Sequence, residues 1–311
     1  MNRCYAAWNP SDEDRRGSAS GGVATLLARL ILSRGGVYFG ARWDSSLRRA
    51  VIGWTEKDPE KFKGSLYVLA DFPSETWKAL EEFLKAGRLV LFVGIPCQVA
   101  ALKALRRRFP DQLICVDLLC HGTCEAEDLS AELAFLTNRA KGGTVDVSFR
   151  EGPLFRMAVS LDGKRVSCKK AAYSAYLRGY LEGVTLREAC YRCPFACLDR
   201  TGDITLGDFI GAEPRNASFA WAHTPKADVL LRQCGAVLQD HPLEDRTTYR
   251  PGILEPTPRP KERAAFLRAR ARMPFPRAVR HTLRFRMAAE PYRQAWKWLH
   301  HQAHLLKSKL S

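Results

Sequence analysis

No stretch of this chain is long and apolar enough to span a bilayer. The best run, Val23 to Leu32, covers ten residues and carries Arg29, whereas a membrane-spanning helix needs about 20 apolar residues. No secretory leader is expected from the start, where Met1-Asn-Arg-Cys4 leads quickly into the acidic Asp12-Glu-Asp14. Acidic residues are scarce at the other end: residues 256–311 hold 14 Lys/Arg and only 2 Asp/Glu. That segment carries +12 of the net charge of +16, so the preceding body is close to neutral. A basic tail of this kind reads as a solvated or docking surface and is weak evidence for nucleic acid, so no nucleic-acid partner is expected. With ten cysteines in 311 residues, the expected location is the reducing cytoplasm. There, clustered thiols serve metal or redox chemistry more often than disulfides.

What is present is a globular composition, 46% hydrophobic and 26% charged, in a chain long enough to bury a full core. Its densest chemistry lies in Cys190-Tyr-Arg-Cys193-Pro-Phe-Ala-Cys197, which runs into a strand predicted from Asp203 to Phe209. Two thiols separated by two residues form a half-site for one metal centre, and a half-site must be completed from elsewhere.

Candidates for its completion come from two apolar strands, Arg88 to Val93 and Leu113 to Leu119. Each is followed by a helix, one spanning Gln98 to Arg108 and one beginning near Glu125. This order implies parallel neighbours and places Cys97 and Cys120 at the same rim of the sheet, where open α/β folds bind ligands. They are the natural partners of Cys190 and Cys193. Cys115, Cys168 and Cys234 read as structural. Cys124 and Cys197 each lie within four residues of a proposed ligand and stay open as substitute ligand, supporting thiol or spectator.

Upstream, Ser18-Ala-Ser20-Gly21-Gly22 feeds a helix from Val23 to Ser33 that ends at Gly35-Gly36. Its free backbone N–H groups can hold a phosphate or pyrophosphate, or the turn is an ordinary N-cap. The segments Gly36 to Arg42 and Ala50 to Trp54 read as strands, as does Val145 to Arg150. The hairpin Phe155 to Cys168 is expected to continue the sheet, and Tyr173 to Arg187 is expected to be helical. A strand from Ala217 to His223, a helix and a short strand close the globular part. Beyond the prolines at 251–260, Tyr292, Trp296, Leu299, Ala303, Leu306 and Leu310 form one apolar helical face. The expected fold is α/β (α+β): a mixed sheet with parallel strand–helix units, a flanking hairpin and a basic C-terminal helical tail. The expected divisions are 1–110, 111–250 and 251–311.

Over most of residues 4–245 the chain resembles the coenzyme F420 hydrogenase/dehydrogenase beta subunit family. The resemblance rests on Cys4-Tyr-Ala-Ala, Ser20-Gly-Gly22, Gly94-x-Pro-Cys-Gln98 and Val116-Asp-Leu-x-Cys-His-Gly122. It continues in Phe149-Arg150, Cys190-Tyr-x-Cys193 and Asp203-Ile-Thr-x-Gly-Asp-Phe209. It implies FAD and a four-iron 4Fe–4S cluster, with Cys97, Cys120, Cys190 and Cys193 as cluster ligands, the same four that topology selects. On that basis the FAD pyrophosphate is expected near Ser20, Gly21 and Gly22 and at Arg150 or Arg200, with Asp203 in the same cofactor set. His121, beside Cys120, either supplies a proton or only hydrogen-bonds the sulfur or the backbone. Three departures stand out: no N-terminal ferredoxin module, Ile210 where tryptophan is usual, and Leu69 where a polar residue is common.

The implied function is an FAD-dependent 4Fe–4S oxidoreductase. Electrons would come from a ferredoxin-like or reduced-coenzyme donor and pass to a small organic acceptor. The alternative is a non-catalytic electron-transfer subunit of a larger redox complex. A zinc-stabilised nucleic-acid module fits poorly, because zinc sites favour compact paired spacing and Cys97 and Cys120 are single. The tail can pack on the body, lie on an anionic membrane surface, or dock a partner. The arginines of Arg268-Ala-Arg270-Ala-Arg272 and Arg284-Phe-Arg286 are expected to steer an acidic ferredoxin or flavodoxin.

Overall fold

The computed structural model describes residues 3–140, 142–151, 154–209, 216–243 and 255–289. The first part of the chain gives β1 (Arg3–Trp8), α1 (Asp12–Arg15), α2 (Val23–Ser33), β2 (Val37–Asp44), β3 (Arg49–Thr55) and α3 (Ser74–Lys85). Next come β4 (Val90–Gly94), α4 (Pro96–Ala101), α5 (Lys103–Arg108), β5 (Leu113–Leu118) and α6 (Ala126–Leu136). Then follow β6 (Val145–Glu151), β7 (Leu154–Leu161), β8 (Lys164–Lys170), α7 (Ala175–Leu181) and β9 (Ile204–Asp208). The remainder is β10 (Ser218–Ala222), α8 (Pro225–Gln233), β11 (Val237–His241), α9 (Arg263–Arg270), α10 (Phe275–Thr282) and α11 (Arg284–Ala288).

Eight strands form one mixed sheet in the order β11-β1-β10-β9-β5-β4-β2-β3. Its centre, β2, β4, β5 and β9, is parallel, and antiparallel strands extend it on both sides. Strand β4 is continuously apolar, and β5 is apolar but for Asp117, because both faces of the sheet are covered there. Leu91, Val93, Ile114 and Val116 face α2 and α8 in one core, with Val23, Leu27 and Ile31. Val90, Phe92, Leu113 and Cys115 face a second core built with α3 through α7 and with α9 and α10.

Register brings the cysteine knot to the site. Strand β9 begins opposite Val116, late in β5, so Ile204 pairs with Val116 and Leu206 with Leu118. The loop entering β9 therefore arrives near the carboxyl ends of β4 and β5, where Cys97 and Cys120 lie.

The hairpin does not continue the main sheet. Strands β6, β7 and β8 form a separate three-stranded antiparallel sheet. The free edge of β3 is already taken, because Ile52 donates to the Asp71 carbonyl and Asp71 donates to the Ala50 carbonyl. The expected helix from Gln98 to Arg108 starts earlier, at Pro96, and divides at Leu102 into α4 and α5. The basic segment after the prolines contributes to the core: Phe266, Phe275, Ala278, Val279 and Leu283 are buried beside α6 and α7. The proposed helical face from Tyr292 to Leu310 and the departure at Ile210 lie outside the described residues. Among the described residues no helix is long and apolar enough to cross a membrane.

Candidate functional site

The carboxyl rim gathers the four candidate ligands. Cys97 sits in the first turn of α4, Cys120 follows β5, and Cys190 lies in a short 3-10 turn, Glu188–Arg192, with Cys193 capping it. Their thiols sense one another. Partial desolvation and then the Cys193 and Cys190 thiols raise Cys97. Burial, with smaller contributions from Cys190, Cys97 and Cys193, pushes Cys120 up to about 12. Gly122 permits this approach: a Cβ there would lie 3.2 Å from the Cys190 Cβ and 2.8 Å from Leu186 Cδ1, and its φ of +125° suits glycine. The Gly122 N–H reaches the Cys120 sulfur at 3.4 Å. Cys124 is buried at 3.2 Å from the Thr185 hydroxyl, whereas the half-exposed Cys197 contacts the carbonyls of Pro194 and Asp199. Among the described residues no group of three or more His, Cys, Asp or Glu side chains is placed to hold a metal ion.

Beside these cysteines opens a cavity of about 310 Å³. Its wall includes Ser18, Ser20 and Gly22 at the start of α2, Arg150 of β6, and Cys120 and His121 after β5. Helix α2 has no side-chain cap, and its N-cap Gly22 is left-handed at φ 77°. The buried Ser18 hydroxyl on the cavity wall has no partner among the described residues. A neutral helix N-terminus with an unused hydroxyl beside it is suited to an anion. Ser218 of β10 fixes this end, accepting from the Gly21 N–H at 2.9 Å and meeting the Ser20 hydroxyl at 2.8 Å. Gly21 does not line the cavity; a Cβ there would come 2.3 Å from the Ala7 carbonyl, so its role is close packing.

Aromatic rings also line the cavity. Tyr67 stacks on Tyr180 at 4.7 Å and on Phe155 at 5.7 Å, while His121 meets Tyr180 edge-on at 4.4 Å. Arg150 lies over Phe155 at 4.7 Å and donates to both Asp208 carboxylate oxygens at 3.0–3.1 Å.

Arg200 and Asp203 stand apart from the cavity wall. The Arg200 guanidinium is fully buried against Asp117, and its N–H groups also reach Thr205 and the carbonyls of Phe195, Cys197 and Leu118. That leaves no N–H for a phosphate. Asp203 accepts from Arg106 and from the Cys115 N–H. Asp117, with no exposed surface, also accepts from Thr201, Gly202 and Thr205. This polar knot fastens the loop from the cysteines to β5 and β9. Its sequence signal was available: one carboxylate inside an otherwise apolar buried strand must find charged or N–H partners. Ser218 and the Tyr67 ring escape a reading of the sequence, because neither belongs to a short motif with its own spacing, and Asp208 lies in the Asp203 to Phe209 motif with nothing in the sequence to pair it with Arg150.

The architecture is that of an open α/β protein with its candidate site at the carboxyl rim of parallel strands. The chain belongs to the coenzyme F420 hydrogenase/dehydrogenase beta subunit family: the family model for the C terminus of that beta subunit matches residues 87–243. A similar solved structure is a chain of the F420-reducing NiFe hydrogenase complex from Methanosarcina barkeri. The two are 20% identical with a TM-score of 0.52, over 78% of this chain and 82% of that one. At that identity the likeness concerns the fold. No curated protein matches the sequence.

Proposed function

We propose that this chain is an oxidoreductase holding a 4Fe–4S cluster and FAD, serving a ferredoxin-like or reduced-coenzyme donor and a small organic acceptor. The observation that carries the reading is a juxtaposition: Cys120 belongs both to the four-thiol group and to the wall of the 310 Å³ cavity. When bound, the two groups would supply one-electron and two-electron exchange, chemistry that belongs to the cofactors.

Cys97, Cys120, Cys190 and Cys193 would hold the cluster as thiolates, and coordination would offset the cost of ionising the raised thiols of Cys97 and Cys120. A mononuclear site draws its thiolates to about 2.3 Å from one ion. A four-iron cluster takes each thiolate on a separate iron, which suits thiols set further apart. The α2 N-terminus and the Ser18 hydroxyl would bind the FAD pyrophosphate, with Arg150 contributing from the lining of the same cavity. The stacked Tyr67, Tyr180 and Phe155 rings would line a planar ring system and keep water from it. His121 retains both roles read from sequence, proton carrier or hydrogen-bond donor. Arg200, Asp203 and Asp117 act through the scaffold, holding the cysteine loop in place.

The test separates the cofactors. Denaturing anaerobically purified protein should release FAD, and Arg150→Ala should weaken FAD retention about tenfold with iron content unchanged. Protein that lacks flavin and resists reconstitution would contradict the FAD assignment. A second reading, an electron-transfer subunit feeding a partner's active site, draws support from the multi-subunit setting of the structural neighbour. Turnover of reduced nicotinamide or deazaflavin coenzyme by the isolated chain would decide against it.

A further inference from the structure

We propose that the outer face of α10 and α11 is a peripheral docking surface for an anionic lipid bilayer. The arginines of the C-terminal segment divide into two sets. One set is used by the fold: Arg263 donates to the Val184 carbonyl, Arg270 pairs with Asp128, Arg259 with Glu188, and Arg286 with Glu182 and Glu262. The second set faces outward. Arg277, His281 and Arg284 are exposed and recur at steps of four and three, one stripe along α10 into α11. None of the three forms an ion pair with a described residue, and the same holds for the exposed Arg268 and Arg272.

An apolar group stands among these cations. Phe285 is 75% exposed, the most exposed large apolar side chain among the described residues, and the Arg284 guanidinium lies 4.8 Å over its ring. The buried face of α10, with Phe275, Ala278, Val279 and Leu283, is already committed to the body. Phe285 therefore has no place in that core. Acidic residues are limited to Glu255 and Glu262 across 255–289, and Glu262 is engaged by Arg286.

Cations alone would suit an acidic protein as well as a bilayer. Composition favours the bilayer: residues 290–311 contain Tyr292, Trp296 and Trp298 interspersed with Arg293, Lys297, Lys307 and Lys309. Aromatic and basic residues in alternation are the side chains that settle at the headgroup level of membranes. The contact is superficial, as no described helix can cross a membrane. This inference is independent of the cofactors and can fail or succeed without them.

The test is flotation of the full chain with vesicles of phosphatidylcholine alone, or of phosphatidylcholine and phosphatidylglycerol in equal parts, across a salt series. Binding should require phosphatidylglycerol and weaken with salt. Arg277→Gln and Arg284→Gln should each weaken it about fivefold, and Phe285→Ser about tenfold. All three positions are exposed, so unchanged circular dichroism and iron content serve as the folding control. Absence of flotation with phosphatidylglycerol, or equal flotation with both vesicles, would overturn the proposal. So would binding that ignores all three substitutions and disappears only when the chain ends at Ala289. Salt-sensitive binding of an acidic ferredoxin that needs Arg277 and Arg284, without vesicle binding, would reassign the face to a protein.

Discussion

At the residue scale, the buried Glu132 and the half-buried His223 give the protein opposed pH dependences. Glu132 is 2% exposed in α6, and burial pushes its carboxyl up to about 7 against the opposing pull of Arg280 and Lys169. The folded protein thus holds this proton more tightly than the unfolded chain. Its stabilising effect is complete below the unfolded value of 4.5 and is lost as pH rises through about 7. His223 behaves in the opposite sense. Its Nε2 lies 2.8 Å from the Thr205 hydroxyl, which donates to Asp117, so Nε2 carries the proton and donates to Thr205. Burial lowers its pKa to about 4, so its contribution is present above 6.5 and lost as pH falls through about 4. Between 4.5 and 6.5 the two slopes oppose each other, and only single variants reveal them. Thermal melts from pH 5 to 8 should show Glu132→Gln gaining on the unsubstituted protein by up to about 3 kcal/mol as pH rises. A variant that tracks the parent across this range would show that Glu132 titrates normally. Arg200→Ala leaves Asp117 buried without its cation and should cost about 3–5 kcal/mol in chemical denaturation. A loss of flavin alone, with stability intact, would contradict the scaffold role of Arg200.

At the element scale, the late register of β9 against β5 brings the cysteine loop to the rim, and Gly122 leaves room for Cys190. Gly122→Ala removes no ligand, yet its Cβ would collide with Leu186 and crowd Cys190. Iron content should fall severalfold while circular dichroism is preserved; full iron occupancy in this variant would separate Gly122 from the site. Elements with an unambiguous pattern are legible from sequence. Helix α2 reads with its observed bounds, and the continuous apolar strands β4 and β5 read within two residues of theirs. Strand β1 does not, because Cys4, Tyr5, Ala6 and Ala7 are buried on both faces and show no alternation. Helix α3 goes unread between two strands, although Thr76, Leu80 and Leu84 bury one stripe of it. That the hairpin leaves the main sheet depends on backbone bonds from residues 50–71 along β3, which no local pattern reports. Of the site, the thiols and the α2 turn are legible as spacings. The enclosure of Arg200 by Asp117 is not, because it joins residues 83 positions apart.

At the scale of the whole molecule, the C-terminal segment is part of the fold as well as a charged surface. A truncation after Leu254 would strip Phe266, Phe275, Val279 and Leu283 from the core shared with α6 and α7. Exposing several large apolar side chains costs about 1.5–3 kcal/mol each. The truncated chain should therefore aggregate or melt well below the intact protein. A truncated chain as stable as the intact protein would show that α9 and α10 do not belong to the core. The central claim is that Cys97, Cys120, Cys190 and Cys193 hold one iron–sulfur cluster beside the cavity. Its most direct measurement is metal and acid-labile sulfide analysis of anaerobically purified protein, with single Cys→Ser variants alongside. About four iron and four sulfide per chain are predicted, depleted by serine at any of the four positions and unchanged by serine at Cys115 or Cys168. Stoichiometric zinc in place of iron, or iron that survives all four substitutions, would contradict the account.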